Sequence, residues 1–267
     1  ADDPETNAYR LVHGENDALP GLVVDRYGST MVVKLYTPAW FPHLRSLLGA
    51  LGELQRHERV VLRLARSVST GETFGFDDGD VLVGPAVDGP VRFVERGLTM
   101  EADVVSGQKT GHFLDQRDNR ALVRGMAAGA SVLDVFASTG GFALSAAAGG
   151  ATSVHMIDQS APALATAERN IAHNRQLPEV RRCAVHATVG DAFEVLGRLG
   201  DRDERFDIVV VDPPSFASNQ GAVERALAAY RRLTRLALAV TERGGTLVQA
   251  SCSSRVTTDD FVDAVLV

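Results

Sequence analysis

The segment Val132-Leu-Asp-Val-Phe-Ala-Ser-Thr-Gly-Gly-Phe142 runs a β-rich stretch into a glycine turn. Gly140 and Gly141 let backbone approach a ligand closely, and a helix starting there offers free N–H groups to an anion. In a methyl donor that anion is an amino-acid carboxylate, and Asp134 can accept from the accompanying ammonium. A dinucleotide loop of the form G-x-G-x-x-G requires glycine where Phe136 and Ser138 stand, which weakens a nicotinamide reading. Asp134, Phe136, Ser138, Gly140 and Gly141 are therefore candidate cofactor contacts; a plain strand-to-helix turn is the structural alternative.

Asp158 follows Asp134 by 24 residues, where a carboxylate can accept from both ribose hydroxyls of an adenosine. Gly190-Asp191-Ala192-Phe193 brings a carboxylate and a ring to where an adenine amino group and its face would lie, although Asp191 at a helix start also suits a cap. Asp212-Pro213-Pro214-Ser215-Phe216 ends a further apolar run. Its prolines stiffen the loop, so that Asp212, Pro213 and the backbone can meet a cofactor or the edge of a flat base. Pro214 and Phe216 are candidate substrate contacts, Phe216 by stacking. Ser251-Cys252-Ser253-Ser254 then carries a thiol to the end of the next run.

A thiol beside a carboxyl group is a nucleophile beside an acid. Methylation of cytosine C5 needs this pair. The carbon is a poor nucleophile until a thiolate adds at C6, and a carboxyl group at N3 favours that addition. Cys252 and Asp212 are the candidate catalytic residues. An isolated cysteine is more often a small buried hydrophobe, and Cys183, between Arg182 and Ala184, is read that way.

Gly107-Gln-Lys-Thr-Gly-His-Phe-Leu-Asp-Gln-Arg-Asp-Asn-Arg120 leads into a helix on which Arg117, Arg120 and Arg124 share one face. They suit phosphates, or equally a solvated face paired with Asp115 and Asp118. His112 is read as a packed or surface residue rather than a catalytic one.

These residues need a scaffold, and from residue 101 the pattern supplies one. Runs at Ser131–Phe136, Ser153–Asp158, Ala184–Val189, Phe206–Asp212 and Gly245–Ala250 read as strands. Between them Gly141–Ala148, Ala161–Asn174, Ala192–Gly197 and Gln220–Thr241 read as helices rich in Ala, Leu and Arg. Alternation of this kind specifies an α/β fold with an open parallel sheet. Residues 1–100 differ: Leu22–Tyr27 and Met31–Tyr36 form a hairpin about Gly28–Ser29, Pro42–Gln55 a helix, and Val60–Ala65 and Val81–Val83 further strands, together a small α+β domain. The expected boundary to the second domain, 101–267, lies near residues 96–106. The sequence stops inside a helix starting near Thr258, so final strands are expected to be missing.

The 267 residues are 45% hydrophobic with a net charge of -7, which suits two folded domains and excludes broad non-specific nucleic-acid binding. Any RNA contact must be local. The two cysteines have no metal-ligand spacing, so no metal is expected. With no secretory signal and no long apolar run, the expected location is cytoplasmic, with no membrane partner; a homodimer stays open.

On GQKTGHFLDQRDNR, LDVFASTGGF, DPPSF and SCSS in this order, the chain resembles the RlmI-type family of 23S ribosomal RNA cytosine-C5 methyltransferases. RLVHGENDALPGLVVDRYG resembles the start of that family's middle domain, and the resemblance covers nearly the whole chain. It implies a Rossmann-like class I methyltransferase sheet, S-adenosylmethionine as cofactor and ribosomal RNA as partner. It further implies Cys252 as nucleophile, Asp212 as its partner, and cofactor contacts from Phe113, Gln116, Asp134, Asp158 and Asp191. Arg117 is the candidate RNA contact. The family's usual N-terminal PUA domain has no room before residue 8. Two alternatives stay open: guanine methylation, which needs no thiol, and a non-catalytic RNA-binding protein that keeps the cofactor pocket.

Overall fold

The computed structural model describes residues 5–217 and 220–266, and the chain forms two compact units, Ala1–Arg117 and Asp118–Val267. In the first unit β1 (Ala8–His13), β2 (Leu22–Tyr27), β3 (Thr30–Leu35), β4 (Arg59–Leu64) and β5 (Val81–Val83) form one sheet in that order. The β3–β4 pair is parallel because α1 (Leu44–Leu54) crosses between them; the other pairs are antiparallel. Tyr27 faces Thr30 across the expected tight turn, with Gly28 at φ +58°. Leu22, Val24, Met31, Val33, Leu62 and the Leu44 and Leu51 side of α1 make the core. After the short α2 (Arg66–Ser69), a second hairpin joins β6 (Val91–Glu95) to β7 (Leu98–Ala102) through Arg96 and Gly97, at φ +48° and +79°. Positive φ at both central residues matches the twist of a two-residue hairpin.

Helix α3 (Arg117–Met126) leads into the second unit, where strands alternate with helices except that two helices stand between β9 and β10. The order is β8 (Ser131–Val135), α4 (Gly141–Ala148), β9 (Ser153–Asp158), α5 (Ala161–His173), α6 (Pro178–Arg182), β10 (Ala184–Val189), α7 (Ala192–Asp201), β11 (Phe206–Val211), α8 (Val223–Ala239), β12 (Thr241–Gln249) and α9 (Thr258–Val265). The five strands are parallel and lie in the order β10-β9-β8-β11-β12. The chain winds outward from β8 to β10, then returns to the far side of β8 as β11. Connections therefore diverge between β8 and β11, and a crevice opens at the carboxyl ends of those strands.

Sequence explains these elements locally. Ser160 caps α5 by accepting from Ala163 N–H at 3.2 Å, Asp191 caps α7, and Thr257 caps α9 through Asp260 N–H at 3.1 Å. Helix α8 buries Ala226, Leu227, Tyr230, Leu233, Thr234 and Ala237, one stripe at helical spacing. Leu133 and Val135 of β8 and Val209 and Val211 of β11 are fully buried against Leu196 and Leu199 of α7 and Leu233 and Ala237 of α8. Each such side chain contributes about 1.5 to 3 kcal/mol. Two-faced burial holds for β8 and β11, whereas β10 and β12 expose much of their length. Strand β12 also begins at Thr241, earlier than the apolar run at Gly245 suggests, through a register shift opposite Phe206 and Ile208.

Candidate functional site

The loop between β8 and α4 is strained and tightly held. Phe136 and Ser138, standing where a dinucleotide loop has glycine, take φ of +64° and +48°. Such conformations cost about 1 to 3 kcal/mol each for a residue with a side chain, and persist only when surroundings enforce them. Four hydrogen bonds do so: Ala137 N–H to Ile157 O at 3.0 Å, Ser138 N–H to Asp158 Oδ2 at 2.8 Å, Gly140 N–H to Ala137 O at 2.8 Å, and Asn170 Nδ2 to Thr139 O at 2.9 Å. Asn170, buried on α5, was not singled out from sequence; only its place one turn from the apolar stripe marks it. The glycines make room for protein as much as for a ligand. A Cβ at Gly140 would stand 2.6 Å from Ala167 Cβ, and one at Gly141 would stand 2.9 Å from Arg120 Cδ.

Arg120 is 3% exposed, so it lies beneath this loop rather than on a solvated or phosphate-binding face with Arg117 and Arg124. Asp134 is 1% exposed and accepts from Ala143 N–H at 3.0 Å, which caps α4 from within the sheet. Burial pushes its carboxyl up to about 7. The Ala143 N–H and Arg120 oppose that rise, while Asp212 and Asp158 add to it.

Asp158 turns both oxygens to backbone, Oδ2 to Ser138 N–H and Oδ1 to Ser160 N–H, each at 2.8 Å. Asp191 Oδ1 accepts from Phe193 and Glu194 N–H at 2.9 and 3.2 Å, and its Oδ2 accepts from Gln159 Nε2 at 2.9 Å. The capping role is thus present, and Gln159 ties the β9 end to the α7 start.

The parallel register sets Val211 beside both Val135 and Gln249, so the loops after β8, β11 and β12 emerge side by side. Asp212 N–H reaches Val135 O at 3.4 Å, and Ala250 N–H reaches Val211 O at 2.9 Å. Pro213 is buried and Pro214 exposed. Phe216 packs between Tyr230 and Phe193, with ring centroids 5.0 and 6.3 Å away. Cys252 is exposed, and its Sγ lies 3.6 Å from Pro213 O as donor. Cys183 is buried, which pushes its thiol up.

Phe113, Gln116 and Arg117 fall in the first unit, around a 3-10 turn over Leu114–Gln116. Lys109 Nζ sits 4.4 Å from the Phe113 ring centroid and pairs with Asp115 at 3.0 Å. Thr110 bonds both Asp25 Oδ2 at 2.6 Å and the Tyr27 hydroxyl at 2.9 Å, so the GQKTG segment is anchored on β2. His112 is buried and packs 5.0 Å from the Phe93 ring, as expected of a packed histidine. Among the described residues no group of His, Cys, Asp and Glu could hold a metal, and no helix is long and apolar enough to cross a membrane.

Three carboxylates, Asp134, Asp158 and Asp212, interact electrostatically at the carboxyl ends of β8, β9 and β11. A ligand bearing a sulfonium and an ammonium relieves their repulsion; a dinucleotide would add a pyrophosphate to it. With the switch point between β8 and β11, this arrangement defines a Rossmann-like class I methyltransferase unit. Residues 10–265 match the S-adenosylmethionine-dependent methyltransferase model, and the chain belongs to that family. It is 46% identical over 264 residues to a ribosomal RNA large subunit methyltransferase of Deinococcus radiodurans, covering 98% of this chain and 64% of that protein. It is 34% identical over 255 residues to ribosomal RNA large subunit methyltransferase I of Erwinia tasmaniensis, covering 96% and 63%. The chain thus spans less than two thirds of the length of these relatives. The fold matches a solved structure described as a methyltransferase complexed with SAH, with TM-score 0.83, 24% identity, and coverage of 98% of this chain and 66% of that one.

Proposed function

We propose that this chain methylates C5 of cytosine in 23S ribosomal RNA, with Cys252 as the nucleophile and Asp212 as its partner. The observation that carries the reading is the exposed Cys252 thiol, 3.6 Å from Pro213 O in the loop that Asp212 opens. Names of the two relatives, both large-subunit ribosomal RNA methyltransferases, support the acceptor class. Asp158 holds the ribose hydroxyls, Asp191 the adenine amino group, and the loop from Phe136 to Gly141 the amino-acid end, with Asp134 completing the charge balance. Pro213 belongs to the same contact set; Pro214 and Phe216 serve the RNA.

Bound there, S-adenosylmethionine supplies an electrophilic methyl group. Cys252, as thiolate, adds to C6 of the base, and the C5=C6 pair moves to C5. Asp212 donates to N3 and spreads the charge of the adduct. C5, made nucleophilic by this addition, would accept the methyl group that the cofactor supplies; loss of the C5 proton to water then restores the double bond and releases the Cys252 thiolate.

The test uses the full-length protein, labelled cofactor and undermethylated 23S ribosomal RNA, with the product mapped by mass spectrometry. Expected is 5-methylcytosine, lost in Cys252→Ala. Methylation at a guanine nitrogen, or full activity in Cys252→Ala, overturns the proposal. Cofactor binding with no transfer to any RNA would instead favour a binding protein.

A further inference from the structure

The thiol's direction is set from behind, by helix α8. Beyond the end of β12 the chain continues extended through Ala250, so alternate residues face opposite sides. On one side, α8 grips three of them. Thr234 Oγ1 donates to Gln249 Oε1 at 2.9 Å. The Tyr230 hydroxyl, one turn earlier on the same face, lies 2.8 Å from Ser251 Oγ and 2.9 Å from Ser253 Oγ. Cys252, flanked by the two serines, turns away from α8 and toward Pro213.

The same hydroxyl also reaches the base-binding loop at one remove. Ser253 Oγ accepts from Phe216 N–H at 3.1 Å and lies 3.2 Å from Ser215 Oγ. One phenol thus ties the loop that bears the thiol to the loop that bears Asp212. Tyr230 is fully buried, with its ring packed 5.0 Å from Phe216 and 5.1 Å from Phe261. Apolar packing there needs only a phenyl ring, so the hydroxyl is free to have a separate task. A buried hydroxyl sharing its partners among Ser251, Ser253, Ser215 and Phe216 makes a connected polar network, which restricts each member to one geometry.

We propose that Tyr230 is a positioning residue for catalysis: through Ser251 and Ser253 its hydroxyl holds the Cys252 thiol and the Asp212 loop in mutual register. This rests on Cys252 being the nucleophile. Tyr230, fully buried, acts through these neighbours. Misplacing a reacting group by about 1 Å costs on the order of 100-fold in rate, so releasing the network slows addition to C6 without weakening binding.

The decisive variant is Tyr230→Phe in the full-length protein, with Ser253→Ala breaking the network from its other end. Expected for both is a fall in kcat of about 10- to 100-fold, with KM for RNA and affinity for S-adenosylhomocysteine within about twofold of the original. Single-turnover trapping on 23S RNA transcribed with 5-fluorocytidine reads the step directly. Fluorine at C5 blocks the final proton loss, so the protein–RNA adduct accumulates, and its rate of appearance must fall by the same factor as kcat. Tyr230→Phe combined with Ser253→Ala should be no slower than either alone, because one network is being cut twice. If Cys252→Ala is inactive while Tyr230→Phe forms adduct at the original rate, the positioning role is refuted and the nucleophile stands. If Cys252→Ala is fully active, the nucleophile reading itself has failed. A fall in cofactor affinity equal to the fall in kcat would reduce Tyr230 to a packing residue and also overturn the proposal.

Discussion

Replacing Asp134 by Asn removes a titration that the fold makes costly. The carboxyl is 1% exposed and titrates at about 7 in the folded protein against an ordinary value of 3.8. Below pH 3.8 it is neutral in both states, so folding carries no penalty. Between 3.8 and about 7 the folded state keeps a proton that the unfolded state has lost, and stability falls as pH rises. At about 1.36 kcal/mol per unit the whole loss is about 4 kcal/mol, of which about 3 kcal/mol falls between pH 5 and pH 8. Asn keeps an oxygen for Ala143 N–H and does not titrate. Urea unfolding of the ligand-free original and Asp134→Asn at both pH values should therefore show the variant gaining about 3 kcal/mol relative to the original on going from pH 5 to pH 8. Titrations not coupled to Asp134 cancel in this double difference. A change below about 1 kcal/mol would refute the claim that burial, with Asp212 and Asp158 nearby, dominates this carboxyl.

Asp158→Ala removes the proposed acceptor of the ribose hydroxyls; hydrogen bonds to a charge are worth about 1.5 to 3 kcal/mol, so calorimetry should show S-adenosylhomocysteine binding weakened by roughly 10- to 100-fold. Gly140→Ala places a Cβ 2.6 Å from Ala167 Cβ at φ +73°, and should lower unfolding free energy by about 2 to 5 kcal/mol, with part regained when Ala167→Gly is added. Asp191→Ala uncaps α7 and releases Gln159; a loss of about 1 kcal/mol in denaturant unfolding is expected.

The alternating half of the chain was legible because its signals reinforce one another. Ser153–Asp158 and Ala184–Val189 are strands with the bounds their sequence suggests, and Gly141–Ala148 is a helix with the expected bounds. Elements lacking such signals were missed. Strand β1 carries Arg10 among its apolar residues, paired with a buried Asp25, so no clean alternation marks it as a strand. The β6–β7 hairpin turns on Arg96-Gly97, where an Asn or Asp before the glycine would have announced it. Helix α1 starts at Leu44 because Pro38–His43 forms a 3-10 segment containing Pro42. At the site, residue types pointed to Asp158 and Cys252, gave Arg120 only a phosphate-binding or solvated face, and did not mark Asn170 or Tyr230. Their importance lies in burial and in partners distant along the chain, which local spacing does not encode.

Phe136 and Ser138 are held at positive φ by hydrogen bonds that the protein itself supplies. A loop already in its strained shape leaves little ordering for an incoming molecule to accomplish, so association is limited by encounter rather than by closure of this segment. In hydrogen exchange, the Ser138 amide, bonded to Asp158, belongs with the slowly exchanging sheet amides before any cofactor is added.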